Sequence, residues 1–387
     1  MTVKVSERLK SLPPYLFVEI DKAKKKAKAE GRDIIDLGVG DPDTPTPEFI
    51  IEALREAVGE PSTHRYALDS GLPELKEAIG TWYEKRFGVS LDASSQILPL
   101  IGSKEGISHM PLAFVNPGDA ALVPDPSYPP YKSGVIFAGG EVKLMPLRAE
   151  NGFLPDLEDI ADEDANRAKI MFMNYPNNPT GACCDKEYFG EVVRFAKAHD
   201  IIICHDAAYT ELSFDGYMPP SFLNAEGALD VGVEFHSLSK TFNMTGWRIG
   251  FVVGNRDVVT AIGKVKSHID SGIFTAIQKA GVAALSQYGS YINTLRSLYQ
   301  RRRDVLCAGL EKIGWKTKKP KAAFYVWAEC IKGYDSMKLA RFLLEKADIV
   351  VTPGVGFGIN GEGYVRMALT VGEDRLSEAC ERIRKII

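Results

Sequence analysis

The segment 237–250 combines side chains that could bind a phosphate with one that could react with a carbonyl compound. It reads SLSKTFNMTGWRIG and brings Ser237, Ser239, Lys240 and Arg248 together just after the apolar run VGVEF. Serine hydroxyls and a guanidinium are donors suited to phosphate. A lysine amine is nucleophilic when burial or a neighbouring cation keeps it partly unprotonated. Taken by itself, the same segment could instead be a solvated loop.

A second candidate phosphate-binding element is the sequence LIGSKEGISHM. Its Gly102, Ser103 and Lys104 stand where a helix is predicted to begin. The free N–H groups and the positive dipole of a helix N-terminus attract phosphate. An ordinary N-cap by Ser103 is the alternative interpretation.

Three further residues are of types that would complement a planar, charged small molecule. Asp206 follows an apolar run and, if buried, needs a positive partner, either a protonated ring nitrogen or a structural salt bridge. Tyr128, in PDPSYPPY, could cover a planar ring or belong to the core. Arg366, in EGYVRMAL, could grip a carboxylate or tie two domains together. Their joint occurrence with Lys240 describes a site for pyridoxal phosphate and an amino acid.

Short apolar runs alternate with helical patterns along the chain and must position these residues. The predicted strands are DIIDLGVG, AALVPD, KIMFMNYP, DIIICHDAAY, VGVEFHSLS and RIGFVVG, and helical patterns such as KEYFGEVVRFAKAH separate several of them. This alternation predicts an α/β fold with a mostly parallel sheet flanked by helices. Because ligands bind at the carboxyl ends of such strands, the polar clusters at 174–181, at Asp206 with Tyr209, and at 237–240 should share one sheet edge.

The pattern changes after about residue 280 and predicts a second, smaller α+β unit. A long helical run there leads into AAFYVWAEC, SMKLARFLLEKA and YVRMALTVG. We predict a large cofactor-binding domain over residues 46–284, opened by a helix that Thr46 caps and Pro47 begins. Residues 1–45 together with 285–387 are predicted to form the small domain.

Composition limits the classes of partner. The 387 residues carry 47 Lys and Arg against 51 Asp and Glu, a net charge of −4, so we expect neither nucleic acid nor a membrane as partner. The six cysteines lack disulfide or CxxC spacing, and no His or Cys pattern indicates a metal. No apolar leader or membrane span is visible, which predicts a cytoplasmic location. The glycine-rich GVGFGINGEG opens no predicted helix, which disfavours a dinucleotide site.

Eight motifs make the chain resemble the class I and II aminotransferases of the fold-type I pyridoxal-phosphate superfamily over almost its whole length. They are DLGVGDPD, RYALDSGLPELKEAI, GSKEG, PDPSYPPY, NYPNNPTG, HDAAY, SLSKTFNMTGWRIG and YVRMAL. Within that superfamily, LPPYLFVEID, GSKEG and SHIDSGIF are most similar to the bacterial LL-diaminopimelate aminotransferases.

The resemblance implies a role for each candidate residue. Lys240 would bond covalently to the cofactor and move a proton on the substrate, Asp206 would keep the ring nitrogen protonated, and Tyr128 would stack on the ring. Asn178 and Tyr209 would hydrogen-bond the phenolic oxygen. The implied phosphate ligands are Ser103, Lys104, Ser237, Ser239 and Arg248.

The resemblance also implies a homodimer with shared active sites. A tyrosine matching Tyr66 reaches the phosphate of the neighbouring subunit in this family. Arg366 would take the substrate α-carboxylate, and the substrate side would be lined by Tyr15, Gly40, Lys104, Tyr128 and Asn178.

The reaction implied is transfer of an amino group from an amino acid, LL-2,6-diaminopimelate, to the oxo acid 2-oxoglutarate in lysine synthesis. The alternatives are a broad-specificity aspartate, alanine or aromatic aminotransferase and a pyridoxal-phosphate-dependent lyase. A regulatory sensor is disfavoured because no attached DNA-binding pattern is present. The segment KSHIDSG lacks the arginine that dicarboxylate enzymes place there, and its Asp270 could instead bind a distal ammonium group.

Overall fold

The computed structural model describes residues 3–12, 16–67 and 70–387, apart from the side chains of residues 16–19. Its strands are β1 (Ile35–Asp36), β2 (Ile97–Leu100), β3 (Ala120–Asp125), β4 (Glu141–Pro146), β5 (Ala168–Asn174), β6 (Ile202–Asp206), β7 (Gly232–Ser237), β8 (Gly250–Gly254), β9 (Tyr325–Glu329), β10 (Ile349–Val350), β11 (Thr352–Pro353) and β12 (Tyr364–Ala368). Its α-helices are α1 (Glu7–Lys10), α2 (Leu16–Ala29), α3 (Glu48–Val58), α4 (Pro73–Phe87), α5 (Ser103–Phe114), α6 (Pro130–Ala138), α7 (Asp162–Arg167), α8 (Lys186–His199), α9 (Ala228–Val231), α10 (Leu238–Thr241), α11 (Arg256–Ser267), α12 (Thr275–Ser286), α13 (Tyr288–Lys312), α14 (Ser336–Ala347) and α15 (Glu373–Arg384). Short 3-10 helices cover Pro61–His64, Ala149–Asn151, Phe222–Asn224, Gly354–Phe357 and Ile359–Gly361.

A seven-stranded sheet in the order β2-β8-β7-β6-β5-β3-β4 forms the centre of the larger part of the molecule. Neighbouring strands from β7 to β4 run parallel, whereas β8 is antiparallel to both of its neighbours. The mostly parallel sheet predicted from the apolar runs is therefore confirmed, and five of those runs form β3, β5, β6, β7 and β8.

The two edge strands, β2 and β4, were not predicted. β4 carries Glu141 and Lys143 and has only one buried residue, so it shows no apolar run. β2 contains Pro99, a residue that argues against a central strand but is tolerated at an edge. Edge position thus explains both omissions.

Apolar side chains cover both faces of this sheet. In β5, Ile170 and Phe172 belong to the core on one face, and Met171 and Met173 to the core on the other. This alternation follows from the two-residue period of a strand. It also explains why strands buried on both sides appear as continuous apolar runs in the sequence.

A three-stranded antiparallel sheet, β11-β12-β9, and the parallel pair β1-β10 form a second region. Their core joins Ile35 and Leu37 to side chains from α13, α14 and α15. The pairing of Ile35 with Ile349 brings a segment before residue 45 next to one after residue 285, whereas the small domain itself, residues 1–45 together with 285–387, stays a prediction. The boundaries at residues 45 and 285 remain a prediction.

One local prediction is wrong. Helix α3 begins at Glu48, Pro47 occupies the N-cap position, and no side chain caps the helix. The Thr46 hydroxyl instead donates to the carbonyl oxygen of Asn243 at 2.8 Å. The Thr46 hydroxyl, which was expected to cap the helix, therefore forms a tertiary hydrogen bond instead.

Among the helices of the described residues, none is long and apolar enough to cross a membrane.

Candidate active site

A cavity of about 540 Å³ lies where β5, β6 and β7 end, next to the smaller sheet. Twelve of the predicted site residues line it: Gly40, Ser103, Lys104, Tyr128, Asn178, Asp206, Tyr209, Ser237, Ser239, Lys240, Arg248 and Arg366. The expectation that polar clusters would meet at one sheet edge is therefore confirmed. Tyr15 lies outside the described residues.

Lys240 presents its amine inside this cavity from the short helix α10, which directly follows β7. Its Nζ donates to the carbonyl oxygen of Gly40 at 2.8 Å and lies 5.6 Å from the centre of the Phe324 ring. Burial lowers the pKa of Lys240 to about 8; Asp41 opposes this shift, and the positive charges of Arg366 and Arg248 assist it. At pH 7 about a tenth of the amine is therefore unprotonated, which is the form that a nucleophile or base requires.

Asp206 is a buried carboxylate at the end of β6. Its Oδ2 accepts from the Tyr131 hydroxyl at 2.8 Å, and its Oδ1 accepts from the backbone N–H of Ala208 at 3.2 Å. Burial raises the pKa of Asp206, and these hydrogen bonds only partly oppose it. No ion pair in the described part of the chain involves Asp206. A cationic N–H in the cavity would supply the missing positive partner.

Groups that attract an anion lie where α5 begins. Gly102 has φ 77° and precedes Ser103, the first residue of the helix, so backbone N–H groups of the first turn face outward. A Cβ at Gly102 would lie 2.3 Å from Nη2 of Arg248, and one at Gly250 would lie 2.7 Å from the Ser103 nitrogen. Glycine at both positions lets the Arg248 guanidinium and strand β8 approach the start of α5 closely, which places this cation beside N–H groups that attract a phosphate.

Arg366 forms the other end of the cavity, on β12 of the smaller sheet. It is 3% exposed, and its Nη1 donates to Asn178 Oδ1 and its Nη2 to the Gly38 carbonyl oxygen, both at 2.7 Å. Its Nε has no hydrogen-bond partner among the described residues. The guanidinium also lies over the Tyr325 ring, with 4.1 Å between carbon and ring centre. A buried cation held by neutral groups alone can bind a substrate carboxylate.

Sequence reasoning assigned no role to several lining residues, of which Asn174 and Tyr325 connect residues that did receive one. Asn174 donates to the Asp206 carbonyl oxygen at 2.7 Å, and its Oδ1 accepts from the backbone N–H of Asn178 at 2.7 Å. The Tyr325 hydroxyl lies 2.9 Å from that of Tyr209. The predicted cluster at 174–181 already placed Asn174 at this sheet edge, whereas nothing in AAFYVWAEC distinguishes Tyr325 from its apolar neighbours.

Two residues discussed from the sequence do not line the cavity. Tyr66 is 79% exposed. The carboxylate of Asp270 accepts from Lys266 Nζ at 2.7 Å and from the backbone N–H of Gly272 at 2.7 Å. Asp270 is therefore engaged within its own chain, and its contact with a distal ammonium group stays a hypothesis.

The chain is similar to known proteins in sequence and in structure. Residues 32–383 match the family model described as aminotransferase class I and II. The chain belongs to this aminotransferase family. An aminotransferase acts on an amino acid and an oxo acid, which agrees with a cavity that has anion-binding groups at both ends.

Relatives of this aminotransferase include the LL-diaminopimelate aminotransferases of Syntrophobacter fumaroxidans and Moorella thermoacetica. They are 55% and 51% identical, over 98% and 99% of this chain and 98% of each relative. Substrate-bound BacF from Bacillus subtilis has 43% identity and a TM-score of 0.95, covering 100% of this chain and 98% of that one. A Thermus thermophilus aspartate aminotransferase mutant has 31% identity and a TM-score of 0.92, covering both chains fully. The predicted fold-type I architecture and aminotransferase activity are thus confirmed.

Proposed function

We propose that this aminotransferase uses pyridoxal phosphate to transfer the amino group of LL-2,6-diaminopimelate to 2-oxoglutarate, a reaction of lysine synthesis. The proposal of this cofactor rests on one observation. The buried amine of Lys240 lies in the same cavity as the anion-binding start of α5 and the buried carboxylate of Asp206. The proposal of this substrate rests on the relatives that are named LL-diaminopimelate aminotransferase and match over nearly the whole chain.

When bound, pyridoxal phosphate supplies an electron-withdrawing ring that stabilises negative charge at the substrate Cα. Asp206 would accept a hydrogen bond from the protonated ring nitrogen, and Tyr128 would cover the ring. Tyr209 and Asn178 would hydrogen-bond the phenolic oxygen. The phosphate would be bound by Ser103, Lys104, Ser237, Ser239 and Arg248, of which Lys104 and Arg248 are exposed at the rim of the cavity.

Lys240 would be the catalytic base. After the substrate has displaced it from the cofactor, Lys240 Nζ would take a proton from the substrate Cα. It would then deliver that proton to the cofactor carbon that bears the transferred nitrogen. The lowered pKa suits this task because a base works best when its pKa is near the working pH. In the chain without cofactor, the Gly40 carbonyl oxygen holds the amine in position by accepting its hydrogen bond.

Arg366 would bind the α-carboxylate and so decide which face of the substrate meets Lys240. Bidentate contact with a buried guanidinium orients a carboxylate as well as attracting it. Asn178 supports this geometry from the turn that follows β5, because its Oδ1 accepts from Arg366. The distal half of diaminopimelate carries both an ammonium and a carboxylate group, so it requires mixed polar contacts. Tyr15 and Gly40 are expected to line the substrate side.

We also propose a homodimer in which Tyr66 of each subunit reaches the phosphate of the other. Tyr66, Ile269 and Phe274 are large apolar side chains with 79%, 53% and 42% exposure. Exposed apolar side chains mark a partner surface when they form one patch, and we infer that these three belong to such a patch. Mixing a Lys240→Ala chain with a Tyr66→Phe chain should restore part of the activity, since one site of the mixed dimer then has both residues. Activity no higher than the sum of the separate variants would contradict shared sites.

The reaction is tested by the absorption of the bound cofactor. The purified protein is loaded with pyridoxal phosphate, and LL-diaminopimelate, aspartate, alanine or phenylalanine is added separately, without an oxo acid. Conversion of the visible band to the near-ultraviolet band of the amine form by diaminopimelate alone supports the proposal, with Lys240→Ala as control. Conversion by several amino acids would instead indicate a broad-specificity aminotransferase. Release of ammonia and an oxo acid without an acceptor would indicate a lyase. The predicted cytoplasmic location is a separate expectation.

A further inference from the structure

Tyr325 lies between the two ends of the cavity and contacts residues from both. It is the first residue of β9 and is 2% exposed. Its hydroxyl lies 2.9 Å from the Tyr209 hydroxyl, and its ring lies under the Arg366 guanidinium at 4.1 Å. We propose that Tyr325 is a positioning residue that sets the hydrogen bond donated by Tyr209 and holds Arg366 for the substrate carboxylate. The inference rests on the proposed function.

Backbone contacts hold the two tyrosines together. The N–H of Ala323 donates to the Leu212 carbonyl oxygen at 2.8 Å, and the N–H of Phe214 donates to that of Lys321 at 2.9 Å. The segment after Tyr209 therefore pairs with the segment before Tyr325. The bonded backbone brings the two side chains together, and the burial of both restricts their rotation.

The direction of the hydrogen bond follows from the number of protons. Each phenol has a single proton to donate. If Tyr209 donates its proton to the phenolic oxygen of the cofactor, its own oxygen can only accept, and Tyr325 must be the donor. Donation to the Tyr209 oxygen makes that hydroxyl a stronger donor in turn, since hydrogen bonds in a chain polarise one another. Tyr325 would thus stabilise negative charge on the cofactor oxygen without touching it.

Gly40 provides the space that this hydroxyl occupies. A Cβ at Gly40 would lie 2.1 Å from the Tyr325 hydroxyl oxygen. The carbonyl oxygen of the same glycine accepts from Lys240 Nζ at 2.8 Å. Only a residue without a side chain permits the lysine amine and the Tyr325 hydroxyl to approach the same backbone unit.

The ring of Tyr325 serves the other end of the site. Among the described residues, buried Arg366 has only neutral hydrogen-bond partners. Its guanidinium carbon lies 4.1 Å from the ring centre of Tyr325 and 4.7 Å from that of Phe357, and these two aromatic faces contribute to holding the cation in place. A hydroxyl role and a ring role can be separated, because Tyr325→Phe removes the first and keeps the second, whereas Tyr325→Leu removes both.

The experiment compares wild type, Tyr325→Phe and Tyr299→Phe, all loaded with pyridoxal phosphate. Tyr299 is a matched control: it is fully buried, packs against Phe324, and has a hydroxyl with no partner among the described residues. The pH midpoint of the visible absorption is measured first, without substrate. We expect Tyr325→Phe to raise this midpoint by about 0.5 unit or more, because less negative charge is stabilised at the cofactor oxygen, and Tyr299→Phe to leave it unchanged.

Kinetics then separate the two roles. Tyr325→Phe should lower kcat about 5-fold with little change in the KM of the amino donor, and Tyr325→Leu should also raise that KM about 5-fold or more. An unchanged midpoint in Tyr325→Phe, or equal shifts in Tyr325→Phe and Tyr299→Phe, would overturn the inference while leaving the proposed function intact. A wild type without a visible cofactor band would overturn both.

Discussion

Asn178 Oδ1 accepts a hydrogen bond of 2.7 Å from Arg366 Nη1, across 188 positions of the chain. A guanidinium can only donate, so this contact determines which way the Asn178 amide faces. The NH₂ group of the amide is then directed away from Arg366 and is left to donate to a ligand. One side chain thereby links the group proposed to bind the α-carboxylate with the group proposed to bind the phenolic oxygen of the cofactor.

The first prediction concerns that link. Asn178→Asp keeps the shape of the side chain and its acceptor but replaces the NH₂ donor by a second negative oxygen. We expect the KM of the amino donor to rise at least about 10-fold, because the new carboxylate neutralises Arg366 and repels the substrate carboxylate. Steady-state kinetics measure this. Asn166→Asp adds the same charge at an exposed residue that does not line the cavity, and a similar rise there would contradict the explanation.

The second prediction uses the pKa of Lys240, which burial lowers to about 8 in the chain without cofactor. Only the unprotonated amine attacks an aldehyde. The rate at which pyridoxal phosphate becomes covalently attached should therefore increase with pH, about tenfold per unit well below pH 8, and level off above it. Rapid-mixing absorbance between pH 6 and 10 gives this profile, and Lys240→Ala should show no attachment. A rate that keeps increasing to pH 10 would mean that burial does not lower this pKa.

A third prediction concerns the contact between Gly358 and Asp125. Gly358 has φ 141°, and a Cβ there would lie 1.6 Å from Asp125 Oδ1. Next to Gly358, the Ser127 N–H donates to the Phe357 carbonyl oxygen at 2.9 Å. The segment 357–358 therefore packs against the loop that carries Tyr128. Gly358→Ala should separate the two and lower the free energy of unfolding by about 2–4 kcal/mol.

The control for this prediction is Gly333→Ala. Gly333 also has positive φ, 93°, but a Cβ there would meet nothing within 4 Å. It should cost only about 1 kcal/mol, from backbone strain alone. Urea unfolding of both variants checks the difference, and equal losses would mean that the contact with Asp125 does not matter.

The fourth prediction concerns Glu234, a fully buried carboxylate on β7 beneath the site. Its Oε2 contacts His205 Nδ1 at 2.8 Å and its Oε1 contacts His236 Nε2 at 2.7 Å. Burial alone would raise the pKa of Glu234, but hydrogen bonds from these two histidines outweigh it and the pKa is lowered. A lowered pKa stabilises the fold above the pKa of the unfolded chain, and this contribution is lost as pH falls towards the folded value.

Glu234→Gln should therefore destabilise the protein by about 3–5 kcal/mol at pH 7 and show a smaller further loss than wild type on acidification from pH 6 to 4. Denaturant unfolding at several pH values measures both effects. Glu345→Gln, at an exposed position of α14, should be neutral. Parallel pH dependence in wild type and Glu234→Gln would show that this carboxylate is not responsible.

Much of the site could be predicted because its residues follow strands that are buried on both faces. Asn174, Asp206 and Ser237 each end an apolar run, and parallel strands place such ends side by side. Tyr325 and Phe357 could not be found in this way. Tyr325 meets Arg366 through the register of β9 against β12, and Phe357 reaches it from the 3-10 helix Gly354–Phe357. The periodicity of β9 or β12 encodes neither contact.

The pairing of β1 with β10 also sets when this site can form during synthesis. Ile35 emerges from the ribosome early, but its partner Ile349 is added only when most of the chain has been made. Gly40, which follows β1 and accepts from Lys240, and Arg366 are separated by the same long interval. The first strand therefore lacks its partner until residues 349–350 have been synthesised, and Lys240 meets Gly40 in its final setting only after that point.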